Sequence, residues 1–232
     1  MQIKFLGTGG ALDFDKGNAS AIVTVGGKNI LIDCGFTTLS TLAEKDQAKD
    51  IDYILVTHLH GDHIGGLPTL LPYLQARLKK DVSIIIPTET FKSELHILFE
   101  ITFEAKRAQY LPISDFPEIG YIDTTNMHKE GMTSFAYYFK EDDHLIYYSG
   151  DVGNADIAKD FLDSRTEAKI QVFHETTPKK DTLVHTSYKE VEEKMNDYKP
   201  TFITSPKKTC RRIVRSTTLR TTQSCCFRFT VI

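Results

Sequence analysis

A chain of 232 residues with 41% hydrophobic and 25% charged residues can bury a real core and has an ordinary globular composition. Its formal net charge of −3 argues against a nucleic-acid or membrane-surface binder. No apolar run approaches the roughly 18 residues of a membrane span, the first residues lack a signal peptide's basic start, and four cysteines make no disulfide framework, so a cytosolic enzyme is the expectation.

"QIKFLG" (2–7) reads as a strand entering a glycine turn. "ASAIVTV" (19–25) and "KNILID" (28–33) flank Gly26-Gly27 and read as a hairpin. "DYILVTH" (52–58) is a near-continuous apolar run, expected to form a strand buried on both faces. "LPTLLPYLQARLKK" (67–80) turns helical, with Pro68 in its first turn and Leu70, Leu71, Tyr73, Leu74 and Leu78 largely on one face. "VSIIIP" (82–87) is another strand. Residues 88–100 follow as a helix with Phe91, Leu95, Leu98 and Phe99 toward the core.

"TSFAYYFK" (133–140) and "HLIYYSGD" (144–151) surround an acidic turn and read as a second hairpin. A helix over 154–164, a strand "KIQVFHE" (169–175), a solvent-facing helix over 187–198 and a last strand "TFIT" (201–204) complete the pattern. Strands alternate with helices, yet several are hairpin-linked. That predicts an α/β chain of mixed sheets covered by helices, not a purely parallel doubly wound sheet.

The chemistry concentrates in "THLHGDHIGG" (57–66), which holds three of the eight histidines. Imidazole and carboxylate are ligands for zinc, manganese or iron. Residues i and i+2 of an extended segment face the same way, so His58 and His60 can grip one ion. Asp62 and His63 follow the turn and can face a second. Gly61, Gly65 and Gly66 permit the sharp backbone.

"HLHGDH" resembles the His-x-His-x-Asp-His signature of the metallo-β-lactamase superfamily, and "FLGTGG", "NILIDCG" and "YYSGD" are similar to its surrounding motifs. The resemblance covers residues 1–204 and implies an αβ/βα sandwich of two mixed β-sheets flanked by helices. It implies a hydrolase in which two metals, zinc with manganese as the alternative, share a hydroxide. His58, His60 and His128 then resemble the ligands of the first metal. Asp151 resembles the bridging carboxylate, and Asp62 and His63 resemble ligands of the second, with Asp62 also placed to hold and deprotonate the attacking water. Asp33 corresponds to a structural aspartate. His96 and His144 read as structural or surface residues.

"FHETT" (173–177) and "VHTS" (184–187) resemble the paired motifs of the ribonuclease Z-like phosphodiesterases. There the second histidine, here His185, protonates the leaving oxygen, and the acid, here Glu175, supports it. "GNASAIVTVGGKNILIDCG" is similar to the arm-less branch that includes the anti-Pycsar enzymes, which implies hydrolysis of a cyclic nucleotide by a homodimer. A tRNA 3′-end endoribonuclease is the alternative. It is disfavoured because the 23 residues from His128 to Asp151 leave room for one hairpin only, and because the chain before residue 205 is acidic.

Two departures stand against the resemblance. Residues 205–232 hold seven basic and no acidic residues and three of the four cysteines. They read either as a basic arm or as an unnatural end, such as a shifted reading frame. Ser205 also falls where the branch carries a further metal-binding histidine. The second site is then expected to be weakened and activity reduced, with Cys210 as the candidate replacement ligand. An impaired member that only binds metal or nucleotide is the third reading.

Overall fold

The computed structural model describes residues 1–102, 108–178 and 184–203, so Ser205, Cys210 and the basic tail lie outside the described residues. Two sheets carry the fold, and in each the strands lie side by side in chain order. The first runs β1 (Gln2–Gly7), β2 (Ser20–Val25), β3 (Lys28–Ile32), β4 (Tyr53–Leu55), β5 (Ser83–Ile86) and β6 (Gln109–Pro112). The second runs β7 (Ile119–Asp123), β8 (Phe135–Glu141), β9 (His144–Tyr148), β10 (Lys169–Glu175) and β11 (Thr201–Ile203). Each opens with antiparallel hairpins and closes with parallel crossovers, the mixed system expected.

The period-2 alternation of β8 and β9 builds two cores at once. Phe135, Tyr137, Phe139, Ile146 and Tyr148 point between the sheets, in one core cluster with Ile30, Ile32 and Leu55 of the first sheet's facing side. Ala136, Leu145 and Tyr147 point the other way, under α5 (Asp156–Asp163) and α6 (Tyr188–Met195). Large aromatic rings dominate the inner layer, and full burial of each contributes about 2–3 kcal/mol. On the first sheet's side, α1 (Thr38–Glu44), α3 (Leu67–Pro72) and α4 (Glu89–Thr102) supply Leu42, Leu70, Leu71, Phe91, Leu95 and Phe99 to the main core. Among the described residues no helix is long and apolar enough to cross a membrane.

Several expectations are corrected. The run 52–58 is not one strand. β4 stops at Leu55, and the next residues turn to the other sheet: Tyr137 donates to the Val56 carbonyl at 2.7 Å, Phe135 N donates to Thr57 O at 2.9 Å, and His58 bridges Ser134. The helix expected over 67–80 is regular only to Pro72. It then widens into a π turn over Tyr73–Arg77, with Leu78 N donating to the Tyr73 carbonyl, because proline cannot continue the ordinary ladder. The helix α6 is not simply solvent-facing. Its Ser187 cap accepts from Glu190 N, and it buries Val191 and Met195. β6, β7 and α1 carry no strong signal in the sequence. In β7, Gly120 lies beneath the Tyr138 ring, where a Cβ would come within 2.1 Å.

His174, on β10, is fully buried beside Tyr147, and its Nδ1 donates to the Glu175 carbonyl at 2.7 Å. Burial lowers its pKa to about 4. The unfolded chain therefore takes up a proton near pH 6.5 that the folded chain refuses, and stability falls as pH falls through that window. Between pH 7 and pH 5 wild type should lose about 2 kcal/mol more than His174→Gln in urea unfolding. Parallel pH profiles for the two proteins would contradict the assignment.

Candidate metal and hydrolytic centre

The site forms where the chain leaves β4 for the second sheet. Asp33 follows β3 with φ at 60°, a left-handed conformation that aspartate tolerates better than most residues, and its side chain is fully buried. Its Oδ1 accepts from Thr57 N at 2.8 Å. Its Oδ2 accepts from Thr57 Oγ1 at 2.8 Å and from His63 Nδ1 at 2.7 Å. Burial holds the Asp33 carboxyl above the ordinary range, although these donors pull it back. The short helix α2 (Gly61–Ile64) is docked alongside by Cys34 N to His63 O at 2.7 Å and Gly66 N to Cys34 O at 2.8 Å. Gly35 is obligatory at this contact, because a Cβ there would lie 1.9 Å from the Asp62 carbonyl oxygen.

These bonds settle which ring nitrogens carry protons. The single proton of Thr57 Oγ1 goes to Asp33. The 3.0 Å contact between Thr57 Oγ1 and His58 Nδ1 must then be donated by His58, leaving His58 Nε2 a bare lone pair. His63 donates through Nδ1 to Asp33, so its Nε2, 3.5 Å from both Asp62 Oδ2 and Asp151 Oδ2, is the nitrogen that faces the cluster. His128, in the loop after β7, donates Nδ1 to the Val184 carbonyl at 2.5 Å, which frees its Nε2 in turn.

The freed nitrogens converge. His58 Nε2 lies 3.0 Å and His128 Nε2 lies 2.9 Å from His60 Nδ1. His60 Nδ1 carries at most one proton and faces two acceptors, whereas a divalent cation satisfies all three lone pairs together. Burial keeps His58, His60 and His128 below their usual pKa, in the neutral form that ligates. Burial also disfavours the His63 imidazolium, but Asp151 and Asp33 outweigh it and raise that pKa, so a cation bound there displaces a proton. The donor set thus fits metal. His58, His60 and His128 group as one triad, His58, His63 and Asp151 as a second, and His128, Asp151 and His185 as a third.

Asp151 stands after Gly150, whose φ is 61°. Its Oδ2 lies 3.5 Å from His63, 3.8 Å from His128 and 3.9 Å from His185 nitrogens, within reach of all three. Burial opposes its ionisation, yet His63 and its neighbours hold it well below the usual carboxylate range. Asp62 is less tightly engaged. It stands on the wall of a cavity of about 410 Å³, which also touches His60, His128, Asp151 and His185, and it belongs to none of the close ligand groups.

His185 Nδ1 lies 3.2 and 3.3 Å from the two carboxylate oxygens of Glu175, whose Oε1 also accepts from Val152 N and Thr186 N. The bond to Glu175 raises the His185 pKa, and burial raises that of Glu175, so the dyad retains a proton. His58, His60, Asp62, His63, His128, Asp151, Glu175 and His185 therefore lie at or beside one cavity, whereas Cys210 lies outside the described residues. His96 and His144 lie elsewhere, the first near Tyr110 and Glu100, the second on Gln171. The roles of Thr57 and the Val184 carbonyl were missed. Thr57 adjoins the signature and offered a local signal; a carbonyl distant in the chain offered none.

The family model described as Anti-Pycsar protein Apyc1 matches residues 1–203. Ribonuclease Z of Clostridium tetani is 44% identical over 88 residues, 37% of this chain and 28% of that protein. Anti-Pycsar protein Apyc1 of Bacillus phage BSP38 is 39% identical over 95 residues, 40% of this chain and 37% of that one. These matches thus span well under half the length of the curated relatives. In fold, the chain is similar to the metallo-β-lactamase fold protein YhfI of Bacillus subtilis, with a TM-score of 0.67 at 16% identity over 88% of this chain and 86% of that one. It is also similar to the short form of human tRNase Z, with a TM-score of 0.63 at 19% identity over 88% and 93%.

Thr57→Val removes the relay from Asp33 to His58 while nearly keeping volume. Zinc affinity, measured by competition with a chromophoric chelator, should fall about 10–100-fold. Unchanged affinity would show that the relay does not orient a ligand.

Proposed function

Because this chain belongs to the Anti-Pycsar protein Apyc1 family, within the ribonuclease Z-like part of the metallo-β-lactamase superfamily, we propose that it is a metal-dependent phosphodiesterase acting on a small phosphodiester, a cyclic nucleotide above all. The observation that carries this reading is one cavity beside which a histidine–aspartate cluster fit for divalent ions stands, and which is also lined by His185, itself bonded to Glu175 and within reach of His128 and Asp151. A thiolate leaves a thioester without a second proton donor; an alkoxide leaving from phosphorus needs one.

Divalent ions, zinc or manganese, supply Lewis acidity and an acidified water when bound. His58, His60 and His128 would hold one, and His63, Asp151 and Asp62 the other. Asp62, on the cavity wall, orients the water and accepts its proton. Asp151 keeps the two ligand groups in register. His185 delivers a proton to the departing ribose oxygen, and Glu175 holds the ring and sustains its charge. Opening a 3′,5′-cyclic phosphate in this way consumes one water and leaves a nucleoside monophosphate. The expected setting is a cytosolic homodimer.

The tRNA-processing alternative draws support from the ribonuclease Z relatives. Against it, residues 128–151 hold only the loop, β8, its turn and β9, which favours a compact substrate. Purified protein with Mn²⁺ or Zn²⁺ should cleave bis(p-nitrophenyl) phosphate and 3′,5′-cyclic nucleotides and spare a tRNA precursor. Preferential tRNA cleavage would reverse the reading.

His185→Ala should lower turnover about 10²–10⁴-fold and leave the metal content near that of wild type. Loss of metal instead would make His185 a ligand. Ser205→His tests the C-terminal departure. It should raise the metal bound per chain, by elemental analysis after dialysis, and raise kcat; no change in either would refute the expectation of a weakened second site.

A further inference from the structure

The loops behind the metal cluster are tied together at Thr186. Its side chain is fully buried and stands off the cavity wall, which its neighbours Val184 and His185 line. Thr186 Oγ1 donates to the Val152 carbonyl at 2.7 Å, and Thr186 N donates to the same oxygen at 2.9 Å. Thr186 N is shared with Glu175 Oε1 at 3.3 Å, and that oxygen also accepts from Val152 N at 3.1 Å. Val152, itself fully buried, is therefore held at both ends of its backbone.

The clamp bears on two groups of the cluster. Asp151 immediately precedes Val152, so the clamp sets the backbone from which its carboxylate reaches His63, His128 and His185. Gly153, immediately after, donates to the carbonyl of Met127, the residue before His128, at 2.6 Å. Two residues before Thr186, the Val184 carbonyl accepts from His128 Nδ1 at 2.5 Å. His128 is thus tied to residues 184–186 through its ring and to residues 151–153 through its neighbour, and Thr186 joins those two segments directly. A buried hydroxyl must give its proton to an acceptor, and here the acceptor is the carbonyl that locks the loop behind Asp151. The backbone bonds of this unit survive any side-chain change, and Glu175 belongs to the dyad. The Thr186 hydroxyl is the link that can be removed without altering a cluster group or the dyad.

Resting on the metal-binding part of the phosphodiesterase reading, we propose that Thr186 is a positioning residue for the metal centre: its hydroxyl fixes the Asp151 and His128 segments against each other, and the affinity of the centre for a divalent ion depends on it. It acts through Val152, not as a ligand. Removing an outer hydrogen bond of this kind typically lowers metal affinity about 10–100-fold.

Three variants of the full chain separate the hydroxyl from the volume of the side chain. Thr186→Ser keeps the hydroxyl and loses the methyl group, Thr186→Val keeps the shape and loses the hydroxyl, and Thr186→Ala loses both. Zinc affinity, by competition with a chromophoric chelator, should stay within about twofold of wild type in Thr186→Ser and fall about tenfold or more in Thr186→Val and Thr186→Ala alike. Bound Co²⁺ gives a second readout, because its visible absorption reports ligand geometry. The spectrum should be the same in wild type and Thr186→Ser and altered in the other two. A loss of fold stability alone would leave that spectrum unchanged. If one variant fails to fold, the remaining pair still compares a side chain with the hydroxyl against one without it. Affinity that follows side-chain size, with Thr186→Ser as weak as Thr186→Ala, would overturn the assignment. So would wild-type affinity and spectrum in the variants that lack the hydroxyl. If wild type binds zinc and cobalt and the variants match it, the positioning role alone fails. If wild type binds neither ion, the metal-dependent reading fails as well.

Discussion

The structure turns on one buried carboxylate. Asp33 binds the backbone and hydroxyl of Thr57 and the ring of His63, and through Thr57 it governs His58. A single group thereby fixes the chain's path out of β4, the docking of α2 and the tautomers of two histidines. An unpaired carboxylate in this position would be costly, so its three bonds are also a constraint on folding.

The second constraint is the split of the 52–58 run between two sheets. Residues 53–55 pair with β3 and β5, and the next three bond to β8 and its approach. That handover places His58 at the shared edge of the sandwich. Only there can ligands from the first half of the chain meet His128 and Asp151 from the second. Asp151 follows the end of β9 and Glu175 is the last residue of β10, so successive strands of the second sheet deliver them to the same edge. Placement at strand ends lets rigid elements hold groups whose useful geometry tolerates little error.

How much of this was legible follows from the range of the interactions. His58, His60, Asp62 and His63 lie within six residues, and local backbone rules suffice to bring them together. Asp151, Glu175 and His185 were legible only through resemblance to a family, since nothing local ties "YSGD" to "HLHGDH". The Val184 carbonyl that sets His128, and the Thr186 bond to Val152, depend on packing between segments distant in sequence. Apolar patterning marked the central strands well. It failed for β6 and β7, which are short and half-exposed and carry Pro112 and Gly120, and it missed the change of partner at Val56 because an apolar run reads alike in either sheet.

In the proposed function, this cluster activates water against a phosphodiester. The most direct measurement is hydrolysis of a 3′,5′-cyclic nucleotide in ¹⁸O-labelled water, with and without Zn²⁺ or Mn²⁺, followed by phosphorus NMR. The expected product is a nucleoside monophosphate carrying one labelled oxygen on phosphorus, formed only when the metal is supplied and lost with His58→Ala. Product that forms equally after complete chelation, or label absent from phosphorus, would contradict it.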